Sequence, residues 1–150
     1  MKNNTRGYAA IGLHSPKNVH NIGGVLRAST CYGVSLVVSS GIRYGKASTD
    51  TFKSFRHLPF IDNVDNLHDY VPYDCVPVAI EFIEEESQSL IDYVHPERAF
   101  YVFGPEDGTL GEKTLSWCRD VVYVPTHRCM NLAATVNVVL YDRMSKQINK

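Results

Sequence analysis

Three short segments combine glycines with charged or amide side chains, the residue types that let a ligand come close to the backbone and give it something to meet. The first is Asn18-Val19-His20-Asn21-Ile22-Gly23-Gly24-Val25-Leu26-Arg27, just after a Ser15-Pro16 turn. Asn21 is the candidate N-cap of a helix, and the glycine pair in its first turn permits close approach by another backbone or a ligand. Glycine costs about 1 kcal/mol relative to alanine inside a helix, so such a pair needs a reason. Arg27 stands one to two turns further on, where its planar fork suits phosphate, or equally a surface ion pair. The second segment, Phe103-Gly104-Pro105-Glu106-Asp107-Gly108-Thr109-Leu110-Gly111, is a tight loop with exposed backbone groups. Its Glu106 offers a carboxylate to a ribose hydroxyl or a cationic centre, or the loop is equally an Asx-type turn with solvated acids. The third runs from Val124 through Pro125, Arg128, Cys129, Met130 and Asn131 into Leu132-Ala133-Ala134 and ends at Leu140-Tyr141-Asp142. A plain core helix explains its apolar stripe but not the Arg128-Cys129-Met130-Asn131 run before it.

Several chemistries are excluded at this level. Gly-x-Gly-x-x-Gly and Gly-Lys-Ser/Thr are both absent, which removes the dinucleotide fingerprint and the P-loop. Six histidines show no metal-ligand spacing, so no metal is expected. Cysteines at 31, 75, 118 and 129 form neither a CxxC pair nor a disulfide scaffold, which points to a reducing, cytoplasmic setting. No apolar run approaches the roughly 20 residues that span a bilayer, and the first six residues lack the apolar stretch of a signal peptide, so no membrane is expected.

The net charge of -1 hides an uneven distribution. Residues 1–56 carry eight basic side chains against Asp50 alone, whereas 57–107 carry twelve acids against Arg98 alone. The basic first third, Arg43 and Lys46 included, could hold a polyanion, or both regions are simply solvated faces.

The elements that must position these segments form one domain, residues 1–150, of 44% hydrophobic composition. Strands are expected at Tyr8 to Leu13, Ser35 to Ser39, Phe60 to Val64, Val76 to Phe82, Ala99 to Phe103 and Val121 to Val124, the last three better defined because each is β-branched or aromatic and bounded by turn residues. Helices are expected at Asn21 to Cys31, stopped by Gly33, at 50–57, 87–94 and 111–118, and from about 131 to 147, with a helical turn at Asn66 to Tyr70. In the last helix Leu132, Val136, Val139 and Leu140 make the buried stripe, and Ala133-Ala134 permits close packing. This βαβ series predicts an α/β fold, a mostly parallel sheet flanked by helices, with ligands outside the carboxyl ends of its strands.

In this order and at these distances the three segments resemble motifs 1, 2 and 3 of the SpoU (TrmH-type) RNA 2'-O-ribose methyltransferases of the SPOUT superfamily. The matches are Asn21-x-Gly23-x-x-x-Arg27; Phe103-Gly104-Pro105-Glu106 with Leu110; and Pro125, Arg128 to Leu132 and Leu140-Tyr141-Asp142. The size is similar to the small members that modify the tRNA wobble ribose. Three positions differ from the family pattern: Gly108 stands one place early, with Thr109 at the usual glycine, and Cys129 and Ala133 replace serines.

The resemblance implies a C-terminal trefoil knot, a homodimer, and S-adenosylmethionine bound at Ile80, Gly104, Val124, Cys129, Met130 and Leu132. Cys129 is expected there as a small buried thiol. Arg27, Glu106 and Asn131 match the catalytic positions, with Arg27 supplied in cis or by the partner subunit. Arg27, Arg43, Lys46 and Arg128 are the expected RNA-binding residues. The implied reaction is attack of a ribose 2'-hydroxyl on the sulfonium methyl, with tRNA favoured over rRNA as substrate. A guanidinium pKa above about 12 makes Arg27 a better clamp than base. The reading from another class is an inert knotted RNA-binding module.

Overall fold

The computed structural model describes residues 7–44 and 57–148. Seven strands form a single sheet in the order β3-β2-β1-β6-β4-β7-β5, and every pairing in it is parallel. They are β1 (Tyr8–His14), β2 (Leu36–Ser40), β3 (Phe60–Val64), β4 (Val76–Ile80), β5 (Gln88–Ser89), β6 (Arg98–Phe103) and β7 (Asp120–Tyr123). The α-helices are α1 (Val19–Cys31), α2 (Glu112–Leu115) and α3 (Leu132–Ile148). The α/β architecture with a parallel sheet expected from the alternating pattern is therefore present.

Parallel strands covered on both faces must be apolar throughout, and the two central strands obey this. Ala9, Ile11 and Leu13 of β1 and Ala99, Tyr101 and Phe103 of β6 face one core; Ala10, Phe100 and Val102 face the other. The first core is closed by Ile22, Val25 and Leu26 of α1 and by Leu132, Val136, Val139 and Leu140 of α3, the stripe read from the sequence. The second is closed by Leu67, in a 3-10 turn at Leu67–Tyr70, and by Leu110, with Trp117 packed beside them. Each such side chain, fully buried, contributes about 1.5–3 kcal/mol.

Local chemistry moved some boundaries. Asn18, not Asn21, caps α1: its side chain accepts a hydrogen bond from the His20 amide (2.9 Å), while Asn21 lies inside the first turn. Gly33 ends the helix as expected, at a φ of 70°. The helix expected at 87–94 is instead the two-residue β5 followed by a 3-10 turn, Leu90–Asp92. Ser87 bonds back to Ile83, and Gln88–Ser89 pairs with the edge of β7, so the backbone finds partners outside a helix. The helix expected at 111–118 contracts to α2. The helix expected at 50–57 lies outside the described residues, apart from His57.

α1 and α3 touch so closely that a Cβ on Gly24 would stand 2.7 Å from the Ala133 Cβ. This is the reason for the second glycine of the pair: it lets the α1 backbone meet the Ala133 side chain of α3. The far half of α3 is held by a buried polar chain. Arg143 donates to the Pro96 carbonyl (2.8 Å), the Glu97 carbonyl (2.7 Å) and the Tyr101 hydroxyl (2.9 Å). The Tyr101 hydroxyl lies 2.7 Å from His95 Nδ1, and His95 Nε2 lies 2.7 Å from Asp142, which Lys146 also meets at 2.8 Å. With Arg143 donating to Tyr101, Tyr101 donates to Nδ1 and a neutral His95 donates from Nε2 to Asp142; we assign the tautomer from this pattern. Burial lowers the His95 pKa, opposed by Asp142.

Two predictions follow from these contacts. Gly24→Ala gains helix propensity but forces a clash between two Cβ atoms, and is expected to cost about 1 kcal/mol net in urea unfolding, with Ala133→Gly restoring stability. Unfolding returns His95 to its ordinary value near 6.5, so below that pH the unfolded chain takes up a proton that the folded chain refuses. Stability is thus expected to fall as pH drops from 7 to 5 by calorimetry. His95→Gln should flatten that slope, leaving the part due to His14, whose pKa burial also lowers.

Candidate active site

The sheet order reverses between β1 and β6, and the loops beyond the carboxyl ends of such a sheet are where ligands bind. A cavity of about 770 Å³ opens there, beyond β4, β6 and β7. It is within the size range of small-molecule sites, about 300–1,000 Å³. Ile80, Gly104, Val124, Cys129, Met130 and Leu132, the six residues expected to hold a cofactor, all line it, as do Glu106 and Arg128. Residues separated by up to 52 positions in the chain thus meet at one wall because β4 lies between β6 and β7.

The lining is mixed in character. Residues 125–130 make no backbone–backbone hydrogen bond among the described residues; the Arg128 carbonyl accepts from the Thr126 hydroxyl (2.8 Å), and the other peptide groups of the loop are left to read a heterocycle. Cys129 is exposed rather than buried, because the 125–129 loop stands open along the cavity instead of packing beneath it. Phe82 and Tyr123 meet edge to face at the rim, their ring centroids 5.0 Å apart.

Glu106 is the most constrained acid of the site. Its Oε2 accepts a hydrogen bond from the Lys17 amide (3.0 Å), and its Oε1 is buried without a hydrogen-bond partner among the described residues. An unsatisfied buried oxygen is costly, roughly 1–3 kcal/mol and more when charged, and its presence marks a place where a ligand donor fits. Glu81 supports the same loop: its Oε1 accepts from the Leu110 amide (3.0 Å). Neither Glu81, Phe82 nor Tyr123 was singled out from the sequence. The one available signal was their position at strand ends, which many residues share.

Asn131 sits at the start of α3. Its Oδ1 accepts from the Ala134 amide (3.2 Å), and its Nδ2 donates to Asn21 Oδ1 (2.7 Å). The first and third motifs are therefore joined by a direct side-chain bond over 110 residues. Asn131 itself is outside the cavity lining, although both of its chain neighbours are in it. Arg27 is exposed on α1, outside the lining, and makes no hydrogen bond or ion pair among the described residues. Six residues at 1.5 Å each set it about 9 Å along α1 from Asn21.

Of the other expected RNA contacts, Lys46 lies outside the described residues. Arg43 is already engaged: Nη2 and Nη1 donate to the two carboxylate oxygens of Asp107 (2.6 and 3.1 Å), and Nη2 and Nε donate to the Ser15 carbonyl (3.0 and 3.3 Å). The hydrogen bonds from Arg43 hold the Asp107 carboxyl down at about 2. Among the described residues no cluster of His, Cys, Asp and Glu could hold a metal ion, and no helix is long and apolar enough to cross a membrane.

A comparison with curated protein sequences returns no match. Solved structures share the fold at low identity. The SpoU methyltransferase AviRb from Streptomyces viridochromogenes superposes with a TM-score of 0.80 at 17% identity, covering 95% of this chain and 60% of that one. A structure described as giving insight into the 2-OH methylation of C/U34 on tRNA superposes at 0.79 and 18% identity, covering 97% of this chain and 99% of that one. An AdoMet-bound rRNA methyltransferase from Sinorhizobium meliloti superposes at 0.77 and 16% identity, covering 95% and 57%. The chain thus spans about three fifths of the length of AviRb and of the Sinorhizobium enzyme, but nearly all of the tRNA-related structure. The profile of the SpoU rRNA Methylase family matches residues 8–141, a span that contains motifs 1 and 2, motif 3 up to Tyr141 and the whole cavity wall, and the chain belongs to that family.

Proposed function

We propose that this protein transfers a methyl group from S-adenosylmethionine to a ribose 2'-hydroxyl of RNA, with tRNA as the preferred substrate. The observation that carries the reading is the meeting of the six expected cofactor residues at one cavity. The choice of tRNA is supported by the match in length to the tRNA-related structure. Its setting on this reading is the cytoplasm.

The residues present fit the cofactor. The peptide groups of 125–130, apart from the Arg128 carbonyl that Thr126 holds, suit adenine, which is read by N–H and C=O groups, and the carboxylates of Glu81 and Glu106 complement a cationic ligand. When bound, S-adenosylmethionine supplies an electrophilic methyl on a sulfonium centre. Ile80, Gly104, Val124, Cys129, Met130 and Leu132 would hold it, within the loops that the resemblance assigns to a trefoil knot.

The chain's contribution to such a transfer is alignment, which supplies roughly 7–11 kcal/mol without covalent help. Arg27, always cationic, clamps the target phosphate and stabilises alkoxide developing at the 2'-oxygen, while the hydroxyl proton passes to an RNA phosphate oxygen. Glu106 offers its unpartnered Oε1 to a donor arriving at the site. Asn131, fixed by Asn21, sets the start of α3 against the cavity. Because Arg27 is exposed and outside its own chain's cavity, a homodimer in which it reaches the partner's site accounts for its role. Arg128, exposed at the cavity rim, is the accompanying RNA contact.

Incubation with tritiated S-adenosylmethionine and either total tRNA or rRNA, followed by digestion to nucleosides, tests this reading. Label is expected on ribose, and from tRNA. Label on a base would reject the 2'-hydroxyl, and no binding of the cofactor by calorimetry would make the protein an inert module. Arg27→Ala is expected to keep cofactor affinity and lose about 100-fold or more in turnover, a size typical of removing one donor to a developing oxyanion. Unchanged turnover would remove Arg27 from the mechanism.

A further inference from the structure

Arg43 carries a pattern of bonds that the proposed reaction does not use. β2, β1 and β6 are neighbours in the sheet, so the loops that leave them lie side by side. The register pairs Leu13 with Phe103 and His14 with Ser40, which brings the segments 15–17, 41–43 and 104–107 together. Backbone bonds join the first two: the Ser15 amide donates to the Ser40 carbonyl (2.8 Å) and the Arg43 amide to the Pro16 carbonyl (3.1 Å). Gly41, at a φ of 60°, makes room for the Ser15 hydroxyl, from which an added Cβ would be 2.8 Å. Ser15 itself is held at a φ of 53°, a conformation that few non-glycine residues adopt.

The third loop is tied to these two by side chains. The Arg43 guanidinium grips both oxygens of Asp107 and, from the same fork, the Ser15 carbonyl. Lys17 Nζ adds a longer contact to Asp107 at 3.8 Å, and the Lys17 amide holds Glu106 Oε2. Asp107 directly follows Glu106, so fixing one restricts the other. Exposed ion pairs are usually worth little, but a bidentate pair with further hydrogen bonds is the exception, since geometry is set as well as charge. Something must hold Glu106 in place, because its Oε1 is buried without a partner among the described residues and a free carboxylate would turn toward water.

We infer that Arg43 is a positioning residue: through Asp107 and the Ser15 carbonyl it fixes the 104–107 loop so that Glu106 keeps its Lys17 bond and its place on the cavity wall. The inference rests on the proposed transfer reaction for its consequence in turnover, though not for the tie itself. Arg43 is not a contact to RNA phosphate on this view, because Asp107 and Ser15 occupy four of its five donors. The negative charge of Asp107 is spent on the tie rather than on a ligand.

Arg43→Gln, Asp107→Asn and the double variant test it, with three readouts. Hydrogen exchange at the Lys17 amide should quicken at least tenfold in both single variants, because that N–H donates to Glu106 in the tied loop. Turnover on tRNA should fall about tenfold or more in kcat with KM for the cofactor little changed, and the double variant should be no worse than either single one. Affinity for total tRNA should stay within about twofold in all three, with an unchanged salt slope. Unaltered Lys17 exchange in both single variants would overturn the inference. So would loss of tRNA affinity and of about one unit of salt slope in Arg43→Gln but not in Asp107→Asn, which is the behaviour of a phosphate contact. Absence of methyl transfer by the wild-type protein would reject the proposed function, while the exchange measurement would still decide the tie.

Discussion

The parallel pairing of β1 with β6 is the constraint on which the site depends. These strands are far apart in sequence, yet their register is set residue by residue from Tyr8 opposite Arg98 to Leu13 opposite Phe103. A slip of one residue would turn Ile11 and Tyr101 away from the α1–α3 face and expose the alternate set, so burial on both sides fixes the alignment. Because the alignment is fixed, the loops leaving the two strands emerge at the same height. The Lys17 amide then falls within 3.0 Å of Glu106 and Arg43 within reach of Asp107. The chemistry of the site is in this sense a property of the two ends of one strand pair.

A second dependence runs through the helices. The close approach of α1 and α3 at Gly24 and Ala133 brings Asn21 to Asn131, and that bond orients the start of α3 beside the cavity. Helix packing and site geometry therefore share residues. A glycine that looks like a defect within α1 is what allows an amide on that helix to meet one on the next.

Much of this was readable in the sequence, and the parts that were not have common physical causes. The six longer strands and the two long helices declare themselves by period and by bounding residues, and the six cavity residues came with the family resemblance, Ile80 from outside the three motifs. The cap of α1 was misplaced because Asn18 and Asn21 are chemically alike at this level; only the partner across space, Asn131, separates them. Residues 87–94 contain enough polar and apolar alternation for a helix, but the free edge of β7 competes for the same backbone. Cys129 was expected to be buried, whereas its loop lies open along the cavity. The engagement of Arg43 was invisible, since its partner is 64 residues away and no local pattern reports such a pair. For the same reason the raw excess of positive charge in the first third overstates what is free: Lys17 and Arg43 both spend charge on Asp107.

The polar chain at the far end of α3 has a consequence for how the molecule assembles. The bonds of Asn131 to Asn21 and of Arg143 to the Tyr8 carbonyl close loops of 110 and 135 residues. Such contacts give a high contact order, and the entropy of closing them is lost before burial repays it. The first strand and first helix thus wait for the last helix before the core they share with it is complete. Until α3 is synthesised only α1 supplies helical cover to that face of β1 and β6, so the Leu132, Val136, Val139 and Leu140 stripe is the last part of this core to arrive.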